Sequence, residues 1–264
     1  MHSLSGQNII LMGGTTGLGL SAAKKLVAAG ANVVVSSRSQ VNVDAALTAL
    51  GPNARGFAAD AATPEAAERA VELAVGEFGR VDALYHVAGG SGRSRGDGPL
   101  HEMTDEGLSY TLDLNLNSVI YSNRAAVRQF LKQGGGGVIL NMASVLGYSP
   151  SAQFFASHAY AAAKAGIIGF SKSIAAYYAP QNIRVNVIAP SLVETPMSQR
   201  ALSNEDIMHF IKTKQPLDGG RIGHPEDCDA AALMLLSSES KFITGQVLAV
   251  DGGWTVSEGQ LHTP

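Results

Sequence analysis

One stretch decides the fold of this chain: Ile9-Ile10-Leu11-Met12-Gly13-Gly14-Thr15-Thr16-Gly17-Leu18-Gly19. Its apolar start predicts a buried β-strand, the glycines predict a turn, and the pattern of residues 21–27 predicts a helix. Gly13 permits a tight turn, Gly17 lets backbone N–H groups approach a pyrophosphate at the helix start, and Gly19 removes a Cβ where helix meets strand. A glycine-rich surface turn is the alternative, but the flanking elements favour a dinucleotide site.

The rest of the chain alternates short β-branched runs with longer alanine-rich helical stretches, and no Pro- or Ser-rich linker or long repeat interrupts this order. Most predicted strands are continuous apolar runs, which suit a parallel sheet covered on both faces. They span residues 8–12, 32–36, 56–59, 83–88, 138–142, 184–188 and 246–250. We therefore predict an α/β protein, a single domain over residues 1–264 with a Rossmann-type doubly wound fold in which helices flank a seven-stranded parallel sheet.

Three helix starts carry their own sequence signals. Thr63 before Pro64 is a predicted N-cap, and so is Ser203 before the Asn-Glu-Asp run of residues 204–206. Pro225 can occupy a first helical position because proline lacks a backbone N–H that would need a partner there. Long helices are expected at about residues 105–131 and 159–179.

The charge balance and cysteine count argue against several classes of protein. The 264 residues carry 19 Lys and Arg against 22 Asp and Glu, a net charge of −3, without a basic patch of the kind that binds nucleic acid. We find neither a leader pattern at the start nor about 18 uninterrupted apolar residues, so we expect a cytoplasmic protein that does not enter a membrane. A single cysteine, Cys228, excludes an intrachain disulfide, and no metal site is expected.

Tyr160-Ala-Ala-Ala-Lys164 places a phenol and an ammonium four residues apart on a predicted helix, where such residues are neighbours. A free tyrosine has a pKa of about 10 and is a poor acid or base near neutrality. A cation about 4 Å away contributes roughly 4 kcal/mol at an effective dielectric of 20, enough to lower that pKa by about three units before desolvation opposes it. The pair suggests an acid/base device, and an ordinary amphipathic helix is the alternative.

Taken together, Gly13-x-x-x-Gly17-x-Gly19 and Tyr160-x-x-x-Lys164 resemble the motifs of the short-chain dehydrogenases/reductases, and the resemblance covers nearly the entire chain. Further matches are Asn115 within residues 114–117, Ser144 at the end of residues 140–144, Pro190 and Thr195, and Val250-Asp251-Gly252-Gly253. The three-residue gap between Tyr160 and Lys164 differs from the wider gap of the related enoyl reductases, which disfavours that subfamily.

The resemblance implies hydride transfer between a nicotinamide and a carbonyl or alcohol carbon, with Tyr160 as the proton donor or acceptor. Ser144 is expected to hydrogen-bond the substrate oxygen, a preorganised contact whose loss can cost about 3 kcal/mol or more. Lys164 is expected to lower the pKa of Tyr160 and to hold the nicotinamide ribose. Asn115 is expected to organise a water path from Lys164 to solvent.

The resemblance also implies which residues contact the cofactor. Asp60 resembles the family's adenine-contacting aspartate, with a helix cap as the alternative. Two departures stand out: Met12 replaces a usual threonine, and His86 replaces an asparagine, so we expect a structural role for His86. The expected contacts come from Gly13, Thr15, Thr16, Gly17, Leu18, Gly19, Ser37, Arg38, Asp60, Ala61, Ala88, Gly89, Tyr160, Lys164, Pro190, Val193 and Thr195.

The loop after the second strand favours NADP over NAD. Ser37 stands where relatives that prefer NAD usually carry an aspartate, and Arg38 could bind a 2′-phosphate through charge-assisted hydrogen bonds. A solvated arginine is the alternative, because the glycine turn carries no second basic residue. We therefore predict NADP, with NAD possible.

Three loops should choose the substrate: residues 90–99, 145–158 and a lid at about 192–220. Their apolar side chains favour an apolar or ring-containing substrate; they are Leu146, Tyr148, Phe154, Phe155, Met197, Ile207, Phe210 and Ile211. The last three recur at helical spacing, so packing of the lid onto the body is the favoured interpretation for them. Arg93 and Arg95 could meet an anionic group or lie in a solvated loop, and Asp97 could neutralise one of them.

These observations predict an NADP-dependent carbonyl reductase, 3-oxoacyl reductase-like enzyme or alcohol dehydrogenase that acts on a small molecule. A catalytically silent NADP sensor or scaffold is the alternative, because fold alone does not imply function. The set Asn115, Ser144, Tyr160 and Lys164 favours the enzyme. The relatives suggest a homotetramer built through the two long middle helices and the C-terminal strand region.

Overall fold

The computed structural model describes residues 4–260, in which seven strands form one parallel sheet in the order β3-β2-β1-β4-β5-β6-β7. The strands are β1 (Asn8–Met12), β2 (Asn32–Ser37), β3 (Ala54–Ala58), β4 (Ala83–His86), β5 (Gly137–Met142), β6 (Ile183–Pro190) and β7 (Val247–Val250). The prediction of a Rossmann-type α/β fold with a seven-stranded parallel sheet is confirmed.

Helices connect the strands and cover both faces of the sheet. They are α1 (Gly17–Ala28), α2 (Gln40–Leu50), α3 (Pro64–Phe78), α4 (Asp105–Leu112), α5 (Ser118–Gln133), α6 (His158–Tyr178), α7 (Gln199–Leu202), α8 (Glu205–Lys214) and α9 (Asp229–Leu236). None of the helices within residues 4–260 is both long and apolar enough to cross a membrane.

Strand alternation divides the core between the two faces. Ile9 and Leu11 pack in one buried cluster with Leu26 of α1 and Leu235 of α9. The intervening Ile10 packs in the cluster on the other face, which includes side chains of α3 and α5. Successive side chains of a strand point to opposite faces. A strand buried on both sides is therefore expected to be apolar along its length, as the first strand of this chain is from Ile9 to Met12. The buried polar residue at its start, Asn8, donates from its side chain to Phe78 O.

The winding of the chain reverses between β1 and β4. The chain moves outward from β1 through β2 to β3, then returns to pair β4 beside β1 on its other edge. Ligands of doubly wound sheets bind at such a reversal, outside the carboxyl ends of the strands. The loops after β1, β4, β5 and β6 meet there.

Several predicted element boundaries shift. The fourth strand ends at His86 rather than residue 88, because the backbone N–H groups of Val87 and Ala88 both donate to Met12 O and the chain turns. Ser203 is not an N-cap. Asn204 takes that position, and its side chain accepts from Ile207 N at 2.9 Å.

The other cap predictions hold in position. Thr63 is the N-cap residue of α3, although its side chain makes no capping bond. Pro225 occupies the first position of the 3₁₀ turn Pro225–Cys228 that precedes α9.

The long middle helix expected over residues 105–131 is interrupted. A π-helical turn, Asp113–Asn117, separates α4 from α5 and carries Asn115 at its centre. Such π turns inside helices occur frequently at functional sites because they redirect side chains that a regular helix would place elsewhere. The second long helix, α6, extends from His158 to Tyr178 as expected.

Candidate active site

A cavity of about 190 Å³ opens at the carboxyl ends of the central strands. Three of the four predicted catalytic residues, Ser144, Tyr160 and Lys164, line it. They come from the turn after β5 and from α6, so the sheet edge joins side chains that lie far apart in sequence. Predicted cofactor contacts also line the cavity: Leu18, Gly89, Pro190, Val193 and Thr195.

The loop between β4 and α4 fixes the first turn of α6. Asp97 Oδ1 accepts from Ala159 N at 3.0 Å and its Oδ2 accepts from Tyr160 N at 3.1 Å. Gly98 O accepts from His158 N at 3.3 Å. Ser157, the N-cap residue, makes no side-chain capping bond. Asp97 therefore satisfies amides that a helix start leaves unpaired. It forms no ion pair with Arg93 or Arg95 among the described residues, although burial lowers the pKa of Arg93 and the negative charge of Asp97 opposes that shift.

Tyr160 is the partly buried phenol of the site. Desolvation raises its pKa to about 12, and the neighbouring Ser144 hydroxyl opposes the rise only in part. The net shift is therefore opposite in sign to the lowering expected from Lys164. Burial penalises the phenolate, and this cost exceeds the favourable effect of the neighbouring groups.

Lys164 is almost fully buried beneath the cavity. Its Nζ donates to Met142 O at 3.0 Å and lies 5.5 Å from the centre of the Tyr160 ring. Burial lowers the pKa of Lys164 to about 8, since its positive charge is poorly solvated. Desolvation therefore disfavours both the ammonium of Lys164 and the phenolate of Tyr160, and the ammonium does not fully stabilise the phenolate.

Asn115 does not line the cavity but supports its wall from the π turn. Its Nδ2 donates to Gly90 O and Thr111 O, both at 2.9 Å, and its Oδ1 accepts from Gly90 N at 3.1 Å. A Cβ at Gly89 would lie 2.8 Å from that Oδ1 and 3.4 Å from Lys164 Nζ. Asn115 and Lys164 thus approach the same glycine from two sides.

His86 is structural, as expected from the sequence. Its ring nitrogens lie 2.7 Å from Ser122 Oγ and 3.1 Å from Ala88 O, and Ser118 Oγ is 3.3 Å from the second nitrogen. Burial lowers its pKa to about 3, and the nearby charge of Lys164 adds to this effect. A neutral imidazole therefore braces the turn after β4.

The glycine turn has room for backbone alone. A Cβ at Gly19 would lie 2.1 Å from Gly13 O, and one at Gly13 would lie 2.7 Å from Ala88 N. Gly13 and Gly17 both have positive φ, which side-chain-bearing residues rarely adopt. Thr16, the N-cap of α1, makes no side-chain capping bond. The start of α1 therefore fits the phosphates of a dinucleotide.

A second, smaller cavity of about 50 Å³ lies beside this turn. It brings together six predicted cofactor residues with Ser36 and Ala59: Gly13, Ser37, Arg38, Asp60, Ala61 and Ala88. Asp60 Oδ1 also accepts from Ala62 N at 3.0 Å, so part of its capacity serves the local turn. Thr15 is buried beneath the turn and Thr16 is exposed, and neither lines a cavity.

The glycine turn is stabilised without the threonine that is usual at the position of Met12. The Met12 thioether accepts a long hydrogen bond from Ser36 Oγ at 3.5 Å. The turn itself is held by backbone bonds, since Gly13 N donates to Ser36 O at 3.1 Å and Ala88 N donates to Met12 O at 2.8 Å. Between residues 4 and 260, no group of three or more His, Cys, Asp and Glu side chains is placed to hold a metal ion.

The predicted substrate side chains divide into two groups. Leu146, Phe155 and Met197 line the cavity, whereas Tyr148 does not. The second group packs the lid onto the body, as the helical spacing suggests: Phe154, Ile207, Phe210 and Ile211. Sequence reasoning missed Arg200 and Trp254 as lining residues. Trp254 directly follows the predicted Val-Asp-Gly-Gly motif, so that motif could have indicated it.

The two loop arginines have different surroundings. Arg93 lines the cavity. Arg95 pairs with Glu106 at 3.2 Å and lies over the Tyr110 ring at 5.5 Å. Arg95 is therefore engaged outside the cavity, and Arg93 alone of the pair faces the site.

The fold and the site define an oxidoreductase that binds a dinucleotide. Residues 13–255 match the family model described as Enoyl-(Acyl carrier protein) reductase. The 3-oxoacyl-[acyl-carrier-protein] reductase FabG of Vibrio cholerae is 34% identical over 95% of this chain and 98% of its own length. Dehydrogenase/reductase SDR family member 4 of Homo sapiens is 33% identical over 95% of this chain and 88% of its own.

Solved structures agree with the sequence relatives. A short-chain type dehydrogenase/reductase from Mycobacterium ulcerans superposes with a TM-score of 0.89 at 28% identity, covering 97% of this chain and 92% of that one. The chain belongs to the short-chain dehydrogenase/reductase family. It is therefore an oxidoreductase of carbonyl or alcohol groups that uses a nicotinamide cofactor, either NAD or NADP.

Proposed function

We propose that this protein is an NADP(H)-dependent carbonyl reductase or alcohol dehydrogenase in which Tyr160 is the general acid and base. The observation that carries the proposal is the meeting of Ser144, Tyr160 and Lys164 in one cavity at the reversal of the sheet. The same cavity is continuous with predicted cofactor contacts, so a reacting carbon and a cofactor can share it.

The chain's own residues divide the reaction between them. The cofactor, when bound, supplies or accepts the hydride. The Ser144 hydroxyl donates to the substrate oxygen and stabilises the charge that develops there. Tyr160 gives its proton to that oxygen during reduction, and its raised pKa keeps it protonated at neutral pH. Lys164 holds the nicotinamide ribose and supplies positive charge beneath the phenol.

The preference for NADP rests on the smaller cavity. Arg38 is exposed at its edge beside Ser37, and no side chain among residues 4–260 forms an ion pair with it. A phosphate on the adenosine ribose would find a guanidinium there. The end of β2 carries Ser37 and no carboxylate that could bind the ribose hydroxyls of NAD, and the one acidic residue lining the cavity, Asp60, follows β3 and is expected at the adenine. Both features favour NADP.

We further propose that residues 192–220 act as a substrate lid on a single dinucleotide-binding and catalytic domain. Apolar walls from Leu146, Phe155, Leu192 and Met197 favour an apolar or ring-containing body for the substrate. Carbonyl chemistry is preferred over enoyl chemistry because Tyr160 and Lys164 are separated by three residues only.

The proposed assembly is a homotetramer. Exposed apolar side chains lie on the elements expected to pair: Leu131 of α5, Tyr177 of α6, and Leu248 of the edge strand β7. Phe242, which precedes β7, is also fully exposed. Sedimentation that shows only 27.3 kDa monomers at micromolar concentration contradicts this assembly. The cytoplasmic location stays a prediction.

Oxidation of NADPH at 340 nm against a panel of ketones, aldehydes and 3-oxoacyl thioesters tests the function, with binding of NADPH and NADH measured alongside. We expect turnover of at least one carbonyl class and tighter binding of NADPH. Tight NADPH binding without turnover of any carbonyl favours a cofactor sensor and contradicts the proposed enzyme.

A further inference from the structure

The charged side chains that line the main cavity are all cationic. They are Arg93, Lys164 and Arg200, and no Asp or Glu is among the lining residues. The chain as a whole has a net charge of −3, so this local excess runs against the overall balance. Lys164 already has a role beneath Tyr160. The two arginines have none in the reaction proposed above.

Neither arginine forms an ion pair within residues 4–260. Arg93 is partly buried, and its guanidinium has no hydrogen-bond or ion-pair partner in that part of the chain. Arg200 has one neutral acceptor, Phe154 O, at 3.3 Å from its Nη2. Asp97 is the acidic side chain whose charge acts on Arg93, and both of its carboxylate oxygens accept hydrogen bonds from the amides of Ala159 and Tyr160.

The two guanidinium groups are close enough to disfavour each other. Burial lowers the pKa of Arg93, the positive charge of Arg200 adds to that effect, and Asp97 opposes it. Arg93 is partly buried and Arg200 is exposed, and the repulsion between two like charges at one cavity is relieved when an anion enters it. Guanidinium groups bind carboxylates and phosphates through paired, charge-assisted hydrogen bonds.

We propose that Arg93 and Arg200 form an anion subsite, so that the substrate is a carbonyl or alcohol compound carrying a carboxylate or phosphate group. This inference rests on the proposed function, because it assigns a substrate class to the same cavity. The apolar walls then hold the body of the molecule between its anionic end and its reacting carbon.

The phosphates of the cofactor do not account for these arginines. The glycine turn and the start of α1 fit the pyrophosphate, and Arg38 lies at the smaller cavity. Arg93 belongs instead to the loop after β4, and Arg200 belongs to α7 in the lid. Both arginines therefore lie in segments that are predicted from the sequence to choose the substrate, residues 90–99 and 192–220.

Two matched pairs of carbonyl compounds test the subsite. One pair is 3-benzoylpropionate and its neutral methyl ester, and the other is hydroxyacetone phosphate and hydroxyacetone. We expect kcat/KM to favour the anionic member of at least one pair by about tenfold or more, the scale of one charge-assisted hydrogen bond. The pair that shows the preference identifies carboxylate or phosphate as the source.

The double variant Arg93→Met, Arg200→Met keeps much of each apolar stem while removing both charges. We expect it to abolish the preference for the anionic member, and Arg93→Lys, Arg200→Lys to retain part of it. Arg95→Met, which removes a charge engaged outside the cavity, should leave the preference unchanged. An equal preference in wild type and the double Met variant, or a preference for the neutral compounds, overturns the proposal.

A binding measurement on a variant without turnover distinguishes a failure of the anion subsite from a failure of the proposed reaction. Calorimetry measures the affinity of 3-benzoylpropionate and hydroxyacetone phosphate for the NADP-saturated Tyr160→Phe protein. We expect the two Arg→Met changes to weaken one of them by about tenfold or more while circular dichroism and the affinity for NADP stay unchanged. Unchanged affinity for both compounds, or a loss confined to NADP, overturns the anion subsite.

Discussion

Asp97 holds the first turn of the helix that carries Tyr160, through a hydrogen bond of 3.1 Å from the Tyr160 backbone N–H to its Oδ2. Its other oxygen takes the preceding amide at 3.0 Å. A buried carboxylate from a loop after β4 thus performs the work that an N-cap residue usually performs, and its negative charge suits the positive end of the helix. The position of the phenol therefore depends on a loop more than 60 residues upstream.

Asp97→Asn should lower both stability and turnover. The amide has one acceptor oxygen instead of two and no charge, so we expect a loss of about 1–2 kcal/mol in the free energy of unfolding. We also expect a fall in kcat of about tenfold, because a small displacement of a reacting group is costly. Urea denaturation and steady-state kinetics measure the two effects. Asp44→Asn, an exposed change on α2, is the matched control, and equal behaviour of the two variants contradicts the positioning role.

Tyr160→Phe should remove turnover while keeping the cofactor site. A general acid contributes about 10²–10⁴-fold to the rate, so we expect kcat to fall by that range or more. Affinity for NADPH, measured by calorimetry, should change by less than about threefold because the substitution removes one hydroxyl. Tyr177→Phe, at an exposed position on the same helix, is the control. Full activity in Tyr160→Phe refutes the acid/base role.

The alkaline side of the pH profile of kcat/KM should report the deprotonation of Lys164. The free protein has a pKa of about 8 at Lys164 and about 12 at Tyr160. Because kcat/KM reports groups of the free enzyme, its value for NADPH should fall as pH rises through about 8, where the ammonium loses its proton. Lys164→Arg should remove this limb, and Lys172→Arg should not. A profile that is flat from pH 7 to 10 in wild type contradicts the assignment.

Arg38→Ala should weaken NADPH use selectively. Loss of charge-assisted hydrogen bonds to a ribose phosphate costs about 1.5–3 kcal/mol, which corresponds to roughly a 10- to 150-fold rise in KM for NADPH. NADH lacks that phosphate and serves as the internal control, so its KM should change by less than about twofold. A parallel rise for both cofactors shows that Arg38 does not discriminate between them.

His86 should make the fold sensitive to acid. Its pKa is about 3 in the folded chain, below the ordinary value of 6.5, so the unfolded chain binds an extra proton between these two values. Stability contributed by the neutral ring is therefore present above pH 6.5 and is lost as pH falls toward 3, by about 1.4 kcal/mol per pH unit. His86→Asn should reduce this slope in urea denaturation from pH 6.5 to 4.5. The exposed His101→Gln should leave it unchanged, and the idea fails if both variants match wild type.

The sequence alone predicts the sheet and much of the site. The first strand is apolar from Ile9 to Met12, and the helix after it begins on glycines that tolerate positive φ, so local patterns are sufficient there. Tyr160 and Lys164 need only helical spacing to become neighbours. The place of Ser37 and Arg38 follows from where β2 ends, since the carboxyl ends of parallel strands meet at one edge, whereas the roles of Asp60 and Ser37 come from the family resemblance.

Other features depend on long-range contacts that no local pattern encodes. Asn115 sits on a π turn where a continuous helix is predicted, because its side chain bonds Gly90 in another loop. Burial raises the pKa of Tyr160 against the sign expected from spacing alone. Desolvation depends on everything that packs around a group, whereas spacing identifies only its neighbours along the chain.

The doubly wound fold and the family of chemistry can be read from the sequence, because strand burial, glycine turns and helical spacing are local properties. Three features appear only in the folded chain: Asp97 caps the catalytic helix, Arg93 faces the cavity while Arg95 pairs with Glu106, and Arg200 reaches the same cavity from the lid. Charges on separate loops acquire a common function only when folding brings them to one space, and that proximity depends on the whole chain.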